Sequence, residues 1–168
     1  MIVGHAAVFN VVDGPAWFRE RIAPGAFADS IGGDVRALFN HDTNLVLGRT
    51  SAGTLSLRED DTGLYMEIQP PDTSYARDLM ESIRRGDISQ ASFSFEVEQA
   101  ASEVVDGEDV RTLRKVRLYD VGPVTFPWYE ATDVSARKAE WENKQARDTQ
   151  SRTRLNLCRR RLELLEHT

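Results

Sequence analysis

The stretch that decides the fold lies where a helical pattern gives way to a strand pattern, in Gly86-Asp87-Ile88-Ser89-Gln90-Ala91-Ser92-Phe93-Ser94-Phe95. Between Pro71 and Gly86, apolar residues recur at i, i+3, i+4 and i+7, which is the spacing of one helix face. Asp72 or Thr73 can cap the first turn of this helix, and Gly86 ends it. From Ile88 onward, apolar and polar residues alternate with a period of two, so we predict that a strand follows the helix.

The first half of the chain has mainly the patterns of strands. We predict strands over residues 2–9, 35–40 and 112–121, and a hairpin formed by residues 54–58 and 63–69. Residues 24–31 have the pattern of a short helix closed by Gly32 and Gly33, and the acidic residues 100–109 have the composition of a loop. The chain is therefore predicted to be α+β and mainly β.

Composition excludes several classes of protein. The chain has 168 residues, of which 40% are hydrophobic, enough for one domain with a sizeable core. No apolar run is long enough to span a membrane, and the first residues lack the pattern of a secretory signal, so we expect a soluble, cytosolic protein. Cys158 is the only cysteine, which excludes an internal disulfide and a cysteine-rich zinc site.

Charge divides the chain into two parts. Residues 137–168 hold nine basic and five acidic residues, a net charge of +4, whereas residues 1–136 hold 12 basic and 22 acidic residues, a net charge of −10. We therefore predict a domain over 1–136 and a basic tail over 137–168 that is helical or partly disordered. A solvated helix or a partner-binding segment is favoured over a nucleic-acid arm, because acids are interleaved with the bases and aromatic residues are few.

Ser92 and His41 could together perform nucleophilic catalysis. A serine hydroxyl is a poor nucleophile near neutral pH unless a neighbouring base, most often imidazole, accepts its proton. His41 lies in Asn40-His41-Asp42, and Ser92 lies on the strand predicted after Gly86. This pair points to a hydrolase.

Each of these residues also has an ordinary structural interpretation. His41 could be a surface turn residue, and Ser92 could belong to the solvated face of an antiparallel strand. Asp120 interrupts an apolar row, which is costly unless a partner pairs with it, but it could equally cap the turn at Gly122-Pro123. A metal site with His41 and Asp42 is disfavoured, because adjacent strand residues point to opposite faces. We therefore expect no metal and no cofactor.

Several short motifs, in a fixed order, resemble those of the prohead (procapsid) maturation proteases of tailed bacteriophages. The resemblance covers about residues 2–137. Its motifs are Gly4-His5-Ala6-Ala7-Val8-Phe9-Asn10, Ile22-Ala23-Pro24-Gly25-Ala26-Phe27, Leu38-Phe39-Asn40-His41-Asp42, Leu47-Gly48-Arg49-Thr50, Gly53-Thr54-Leu55, Gly86-Asp87-Ile88-Ser89, Ser92-Phe93-Ser94-Phe95 and Val124-Thr125-Phe126-Pro127. This family is distantly similar to the herpesvirus capsid-assembly proteases. The resemblance implies a closed antiparallel β-barrel flanked by a few helices, with the tail of the chain as an addition.

The resemblance also implies roles for individual residues. His41 matches the general base, Ser92 the nucleophile and Asp120 the acid that orients the imidazole. Ser94 stands where the family usually has glycine, which makes it a rival nucleophile. Glu96 and Asp42 are the alternatives to Asp120. Arg84, Arg85 and the amides near Gly86 are candidates for stabilising the oxyanion, and the sequence does not choose among them.

The function implied by the resemblance is that of a serine endopeptidase of capsid maturation. Such an enzyme would act inside the assembling procapsid in the host cytoplasm and would cleave the scaffold, or the scaffold-like segment of the major capsid protein, and also itself. A homo-oligomer is compatible with this function, whereas membrane and nucleic-acid partners are not expected. The alternative is a non-enzymatic assembly or scaffolding protein that retains the protease fold.

Overall fold

A computed structural model describes residues 1–14 and 18–136. Within them Ile2–Ala136 forms one compact unit. Its elements, in chain order, are β1 (Ile2–Val8), β2 (Arg19–Ile22), β3 (Arg36–Leu38), β4 (Val46–Arg49), β5 (Leu55–Glu59), β6 (Gly63–Ile68), α1 (Ser74–Arg85), β7 (Gln90–Val105), β8 (Glu108–Val124) and β9 (Ser135–Ala136). The described part of the chain is thus mainly β with one helix, which agrees with the predicted α+β class.

The first sheet has the strand order β5-β6-β1-β9. The predicted hairpin is present as β5 and β6, which pair antiparallel, and β1 pairs antiparallel with β6. The buried faces of these strands contribute Ile2, Leu64 and Met66 to the core, which they share with Ile83 of α1 and Phe93 of β7. A single hydrophobic core therefore joins this sheet to the helix and to the second sheet.

The second sheet is built on the long hairpin of β7 and β8. β7 pairs antiparallel with β8 from end to end. The other edge of β8 carries two short strands, because β2 pairs parallel with Val110–Leu113 and β3 pairs parallel with Asp120 and Val121. β4 completes the sheet by pairing antiparallel with β3. This arrangement brings β3 and β7, which are distant in sequence, to opposite edges of one strand.

Helix α1 forms where its apolar spacing predicts it. Ala76, Leu79 and Ile83 are its buried residues, and Gly86 follows its last turn with a φ of 82°. That conformation is easy only for glycine, which explains why the helix ends there. The predicted side-chain cap is not formed: Thr73 occupies the N-cap position without a cap hydrogen bond, and Asp72 pairs instead with Arg77 at 2.6 Å.

Two local predictions are wrong. Residues 100–109 do not form a loop, because β7 continues to Val105 and β8 begins at Glu108. Asp106 and Gly107 connect the two strands with φ values of 52° and 85°, as a two-residue turn of a twisted hairpin requires. Residues 24–31 form consecutive turns rather than a helix, and Gly25, with a φ of 86°, interrupts the helical path.

The closed antiparallel barrel with several flanking helices is also wrong for the described residues. Neither sheet closes, because β5 and β9 stand at the ends of the first sheet, and β4 and β7 lie at edges of the second. The second sheet is mixed rather than antiparallel, since β2 and β3 run parallel to β8. Closure would require an edge strand of one sheet to pair with the other.

The predicted tail over 137–168 lies outside the described residues, and the division of the chain at 136 stays a prediction. Among the described residues there is no helix of the length and apolar character needed to cross a membrane.

Candidate active site

His41 lies on a turn that directly follows β3. Asn40 and His41 both have left-handed backbone conformations, with φ values of 53° and 57°. Non-glycine residues rarely adopt this conformation unless surrounding contacts hold it, although Asn and His tolerate it better than most residues. Contacts with surrounding residues are therefore needed to hold this turn.

The end of β8 supplies these contacts through Asn40. The Asn40 main-chain N–H donates to the carbonyl oxygen of Pro123 at 3.0 Å. The side-chain oxygen of Asn40 accepts from the Thr125 N–H at 2.8 Å, and its amide nitrogen donates to Thr125 Oγ1 at 3.2 Å. Three hydrogen bonds thus fix the residue that precedes the histidine.

The imidazole of His41 contacts the carboxylate of Asp120 directly. The distance between His41 Nδ1 and Asp120 Oδ1 is 2.6 Å, and the Asp120 side chain is 12% exposed whereas that of His41 is 37% exposed. Because a carboxylate can only accept, Nδ1 carries the hydrogen and donates it, which leaves Nε2 as an acceptor when the ring is neutral. The hydrogen bond raises the pKa of His41 above its ordinary value, and partial burial opposes this rise.

The two alternative acids are engaged elsewhere. Glu96 accepts a hydrogen bond from the Tyr119 hydroxyl at 2.7 Å and lies 3.7 Å from Arg117. Asp42 accepts from the main-chain N–H of Asn44 at 2.8 Å and from its side-chain amide at 2.9 Å. Of the three acids named from the sequence, the structure places only Asp120 against the imidazole.

The strand register places Ser92 and Ser94 on the same face as Asp120. Ser94 lies directly opposite Asp120, and Ser92 lies opposite Gly122. Directly opposed residues of an antiparallel pair have Cβ atoms about 4.5–5.5 Å apart, and diagonal neighbours about 7–8 Å apart. Ser92 is therefore the diagonal neighbour of Asp120, at a separation that leaves room for an imidazole ring between the two side chains.

The third residue of this group is Ser92 of β7. Ser92 is 6% exposed, at the edge of the core. Within the described residues it has no hydrogen bond to His41, so the relation between these two residues follows from the register and from the turn after β3. Catalytic hydrogen bonds are often long in structures without substrate and shorten when substrate binds.

Gly122 is a part of the site that the sequence analysis missed. A Cβ atom at this position would collide with the carbonyl oxygen of Leu38, so only glycine lets β3 approach β8 this closely. The available signal was a glycine inside an otherwise apolar strand, which often marks a close backbone approach. From the sequence, Gly122 is placed only in a turn with Pro123.

The candidate oxyanion-stabilising arginines lie at the end of α1. Arg84 pairs with Glu81, and Arg85 pairs with Asp87 at 2.9 Å. Their role stays a prediction. Among residues 1–14 and 18–136 there is no cluster of three or more His, Cys, Asp or Glu side chains that could hold a metal ion.

Comparison with known protein families identifies the relationship. The profile of the caudovirus prohead serine proteases matches residues 1–147. The chain belongs to this family. Prohead serine proteases are hydrolases of capsid maturation in tailed bacteriophages, and membership indicates a serine peptidase. Searches of curated proteins and of solved structures find no match to the chain.

Proposed function

We propose that this member of the prohead serine protease family is an active endopeptidase that uses Ser92 as nucleophile, His41 as general base and Asp120 as orienting acid. The contact of 2.6 Å between His41 Nδ1 and Asp120 Oδ1 carries the proposal. It leaves Nε2 free to accept a proton, on the strand face that also carries Ser92. A buried acid, an imidazole and a serine in this order form the arrangement that activates a hydroxyl on several unrelated folds.

The reaction would proceed by acyl transfer. Ser92 Oγ attacks the carbonyl carbon of the scissile peptide bond, and its proton moves to His41 Nε2. The carbon–nitrogen bond then breaks, and His41 returns the proton to the leaving amine, which gives an acyl-enzyme. Water repeats the sequence and releases the second product. Asp120 stays ionised throughout and stabilises the imidazolium that forms in each half-reaction.

The register favours Ser92 over Ser94 as the nucleophile. Ser94 stands directly opposite Asp120, so an imidazole bound to that carboxylate has no room to lie between them. Ser92 stands opposite Gly122, which has no side chain to fill the space beside the ring. The imidazole can therefore extend from Asp120 toward Ser92 across the position of Gly122.

Family membership supports the choice of substrate. We propose that the enzyme cleaves the scaffold, or the scaffold-like segment of the major capsid protein, inside the assembling procapsid, and that it also cleaves itself. Incubation of the full-length chain with its capsid protein tests this directly, because mass spectrometry of the products identifies each new terminus. A Ser92→Ala chain should yield none of them.

A fluorophosphonate probe tests the assignment of the nucleophile. Its phosphorus is attacked by an activated serine, and fluoride leaves. We expect the full-length protein to be labelled and both Ser92→Ala and His41→Ala to be unlabelled, while Ser94→Ala, the matched control, keeps its labelling. Circular dichroism should show that all variants are folded.

Other outcomes would change the proposal. Labelling that survives Ser92→Ala and disappears in Ser94→Ala would move the nucleophile by two residues. Absence of labelling and of cleavage both in solution and in assembled particles would contradict the protease and favour a non-enzymatic assembly protein.

A further inference from the structure

Residues 129–134, here called the return segment, follow β8 and run back along the outer edge of β7. The side-chain amide of Gln90 donates to the carbonyl oxygen of Glu130 at 2.9 Å. The Val134 N–H donates to the carbonyl oxygen of Ser89 at 3.0 Å. The return segment is thus hydrogen-bonded to the residues that lead into the nucleophile strand.

Thr132 makes the innermost of these contacts, at the residue directly before Ser92. Its hydroxyl donates to the carbonyl oxygen of Ala91 at 2.6 Å, accepts from the Ala91 N–H at 3.2 Å, and also lies 3.2 Å from the carbonyl oxygen of Tyr129 within the return segment. Thr132 is 5% exposed, and Ala91 is fully buried. One side chain therefore satisfies both main-chain polar groups of Ala91, which would otherwise be buried without a partner, an arrangement that is costly in free energy.

The pairing of Ala91 explains why its polar groups point outward. Ala91 lies opposite Pro123, which has no N–H to donate. In an antiparallel ladder every second pair directs its N–H and C=O groups away from the partner strand. The carbonyl oxygen of Pro123 likewise points away from β7, since it accepts a hydrogen bond from the Asn40 N–H.

One row of contacts thus crosses the sheet beside the candidate active site. It runs from Asn40 to Pro123, then to Ala91 and to Thr132. Its two ends lie next to the two reacting groups, because His41 follows Asn40 and Ser92 follows Ala91. The Asn40 end holds the residue before His41, and the Thr132 end holds the residue before Ser92.

A second contact holds the strand on the other side of Ser92. The ring of Tyr129 stacks on Phe93, with 5.4 Å between ring centroids and 15° between ring planes. The Tyr129 hydroxyl donates to Glu20 Oε2 at 2.5 Å, and burial together with this carboxylate raises the pKa of Tyr129 well above its usual range. The return segment therefore contacts both neighbours of Ser92 in the chain, Ala91 and Phe93.

We infer that Thr132 is a positioning residue, which acts through Ala91 to set the distance from Ser92 Oγ to His41 Nε2. This inference rests on the proposed function. Without the hydroxyl, Ala91 would lose both outer partners, and the first residues of β7 would shift to recover hydrogen bonds. A displacement of about 1 Å at a reacting group can lower a rate by about 10²-fold, so the acylation step should be the one affected.

The test measures the rate of covalent labelling by a fluorophosphonate in full-length variants, at a temperature well below the melting temperature of each. Thr132→Val keeps the shape and removes the hydroxyl, and its maximal labelling rate should fall by about 10²-fold. Thr132→Ser restores the hydroxyl and should return the rate to within a few-fold of the wild type. Thr132→Ala removes the same hydroxyl with less bulk and serves as the second variant if valine prevents folding.

A matched control separates positioning from general destabilisation. Thr112 is also a 5% exposed threonine, far along the same hairpin, and its hydroxyl likewise accepts one hydrogen bond, from Arg21 at 2.9 Å, and donates one, to Glu103 at 2.7 Å. Thr112→Val should lower the melting temperature and leave the labelling rate unchanged. In Thr132→Val the pH at which labelling is half-maximal should also stay unchanged, because the contact between His41 and Asp120 is intact.

The outcomes distinguish the inference from the proposed function. A labelling rate of Thr132→Val or Thr132→Ala equal to that of the wild type, or an equal loss in Thr112→Val, would overturn the role of Thr132 while leaving Ser92 as nucleophile. Labelling of wild type that does not depend on Ser92 would instead overturn the proposed function.

Discussion

The two ends of the β7–β8 hairpin belong to one antiparallel strand pair, but different segments lie along their outer edges. At the near end, which contains Ser92 and Asp120, residues 90–95 pair with residues 118–124, and most of these residues are buried. At the far end, residues 101–105 pair with residues 108–112, and most of these are exposed or only partly buried. Both ends are antiparallel pairs of the same two strands, so pairing alone does not account for the difference.

The difference comes from the outer edges of the hairpin. At the near end, β3 and the turn of His41 cover one edge, and the return segment covers the other. At the far end, β2 covers one edge, and contacts such as the ion pair between Arg21 and Glu103, at 2.6 Å, add to it at the surface. Surface ion pairs contribute little to stability. Hydrogen-bonded neighbours therefore lie along both outer edges of the strand pair at the near end, where the candidate active site lies.

The largest expected effect is at the near end, in Asp120→Asn. The asparagine can present its amide to the imidazole, which favours the wrong tautomer and removes the negative charge beside the ring. We expect kcat for peptide cleavage to fall by about 10⁴-fold with the fold retained. Because the hydrogen bond to Asp120 raises the pKa of His41, its loss should move the acid limb of the activity profile to lower pH. Measurement of the residual activity between pH 5 and 9 checks both points.

The matched control for that variant is Asp42→Asn, which changes the acid directly after His41. Asp42 bonds to Asn44 rather than to the imidazole, so activity should stay within a few-fold of the wild type. A larger loss in Asp42→Asn than in Asp120→Asn would show that the wrong acid has been assigned.

A smaller effect is expected from Gly122→Ala, also at the near end. The added methyl group would collide with the carbonyl oxygen of Leu38, so β3 must move away from β8. Overpacking of this kind costs about 1–3 kcal/mol in the free energy of unfolding, which urea denaturation can measure. Gly32→Ala, where an added methyl meets no atom within 4 Å, is the control and should be close to neutral.

The smallest effect is expected at the far end, in Gly107→Ala. Gly107 has a φ of 85° in the two-residue turn, and an alanine there costs about 1–2 kcal/mol of stability. The melting temperature should fall by a few degrees, while the labelling rate of Ser92 stays at the wild-type value. If Gly107→Ala slowed the labelling of Ser92, the two ends of the hairpin would be coupled rather than independent.

The elements that follow local patterns were predictable from the sequence. Helix α1 and the β5–β6 hairpin obey their apolar periodicity, because each buries one face against a continuous core. The far end of the long hairpin was missed because its acidic and small residues have the composition of a loop. The Asp-Gly pair at 106–107, a strong hairpin signal, marked the connection.

The site was predictable only in part. A carboxylate in an apolar row indicated that Asp120 needs a partner, and the resemblance implied that this partner is His41. The contact between Thr132 and Ala91 could not be inferred from the sequence, because the two residues are 41 positions apart. It also depends on the pairing of Ala91 with Pro123, which directs the main-chain N–H and C=O groups of Ala91 away from β8. The two sheets are open and do not form the expected barrel. Closure of a barrel depends on pairing between edge strands, which no local sequence pattern encodes.

The return segment has a consequence for the order of events during synthesis. His41, Ser92 and Asp120 all emerge from the ribosome before residues 129–134 do. A nascent chain that has just completed β8 would therefore contain every proposed reacting group but lack the contacts that hold the start of β7. If Thr132 acts as proposed, the chain becomes competent for proteolysis only after residues 129–134 have emerged and packed beside β7.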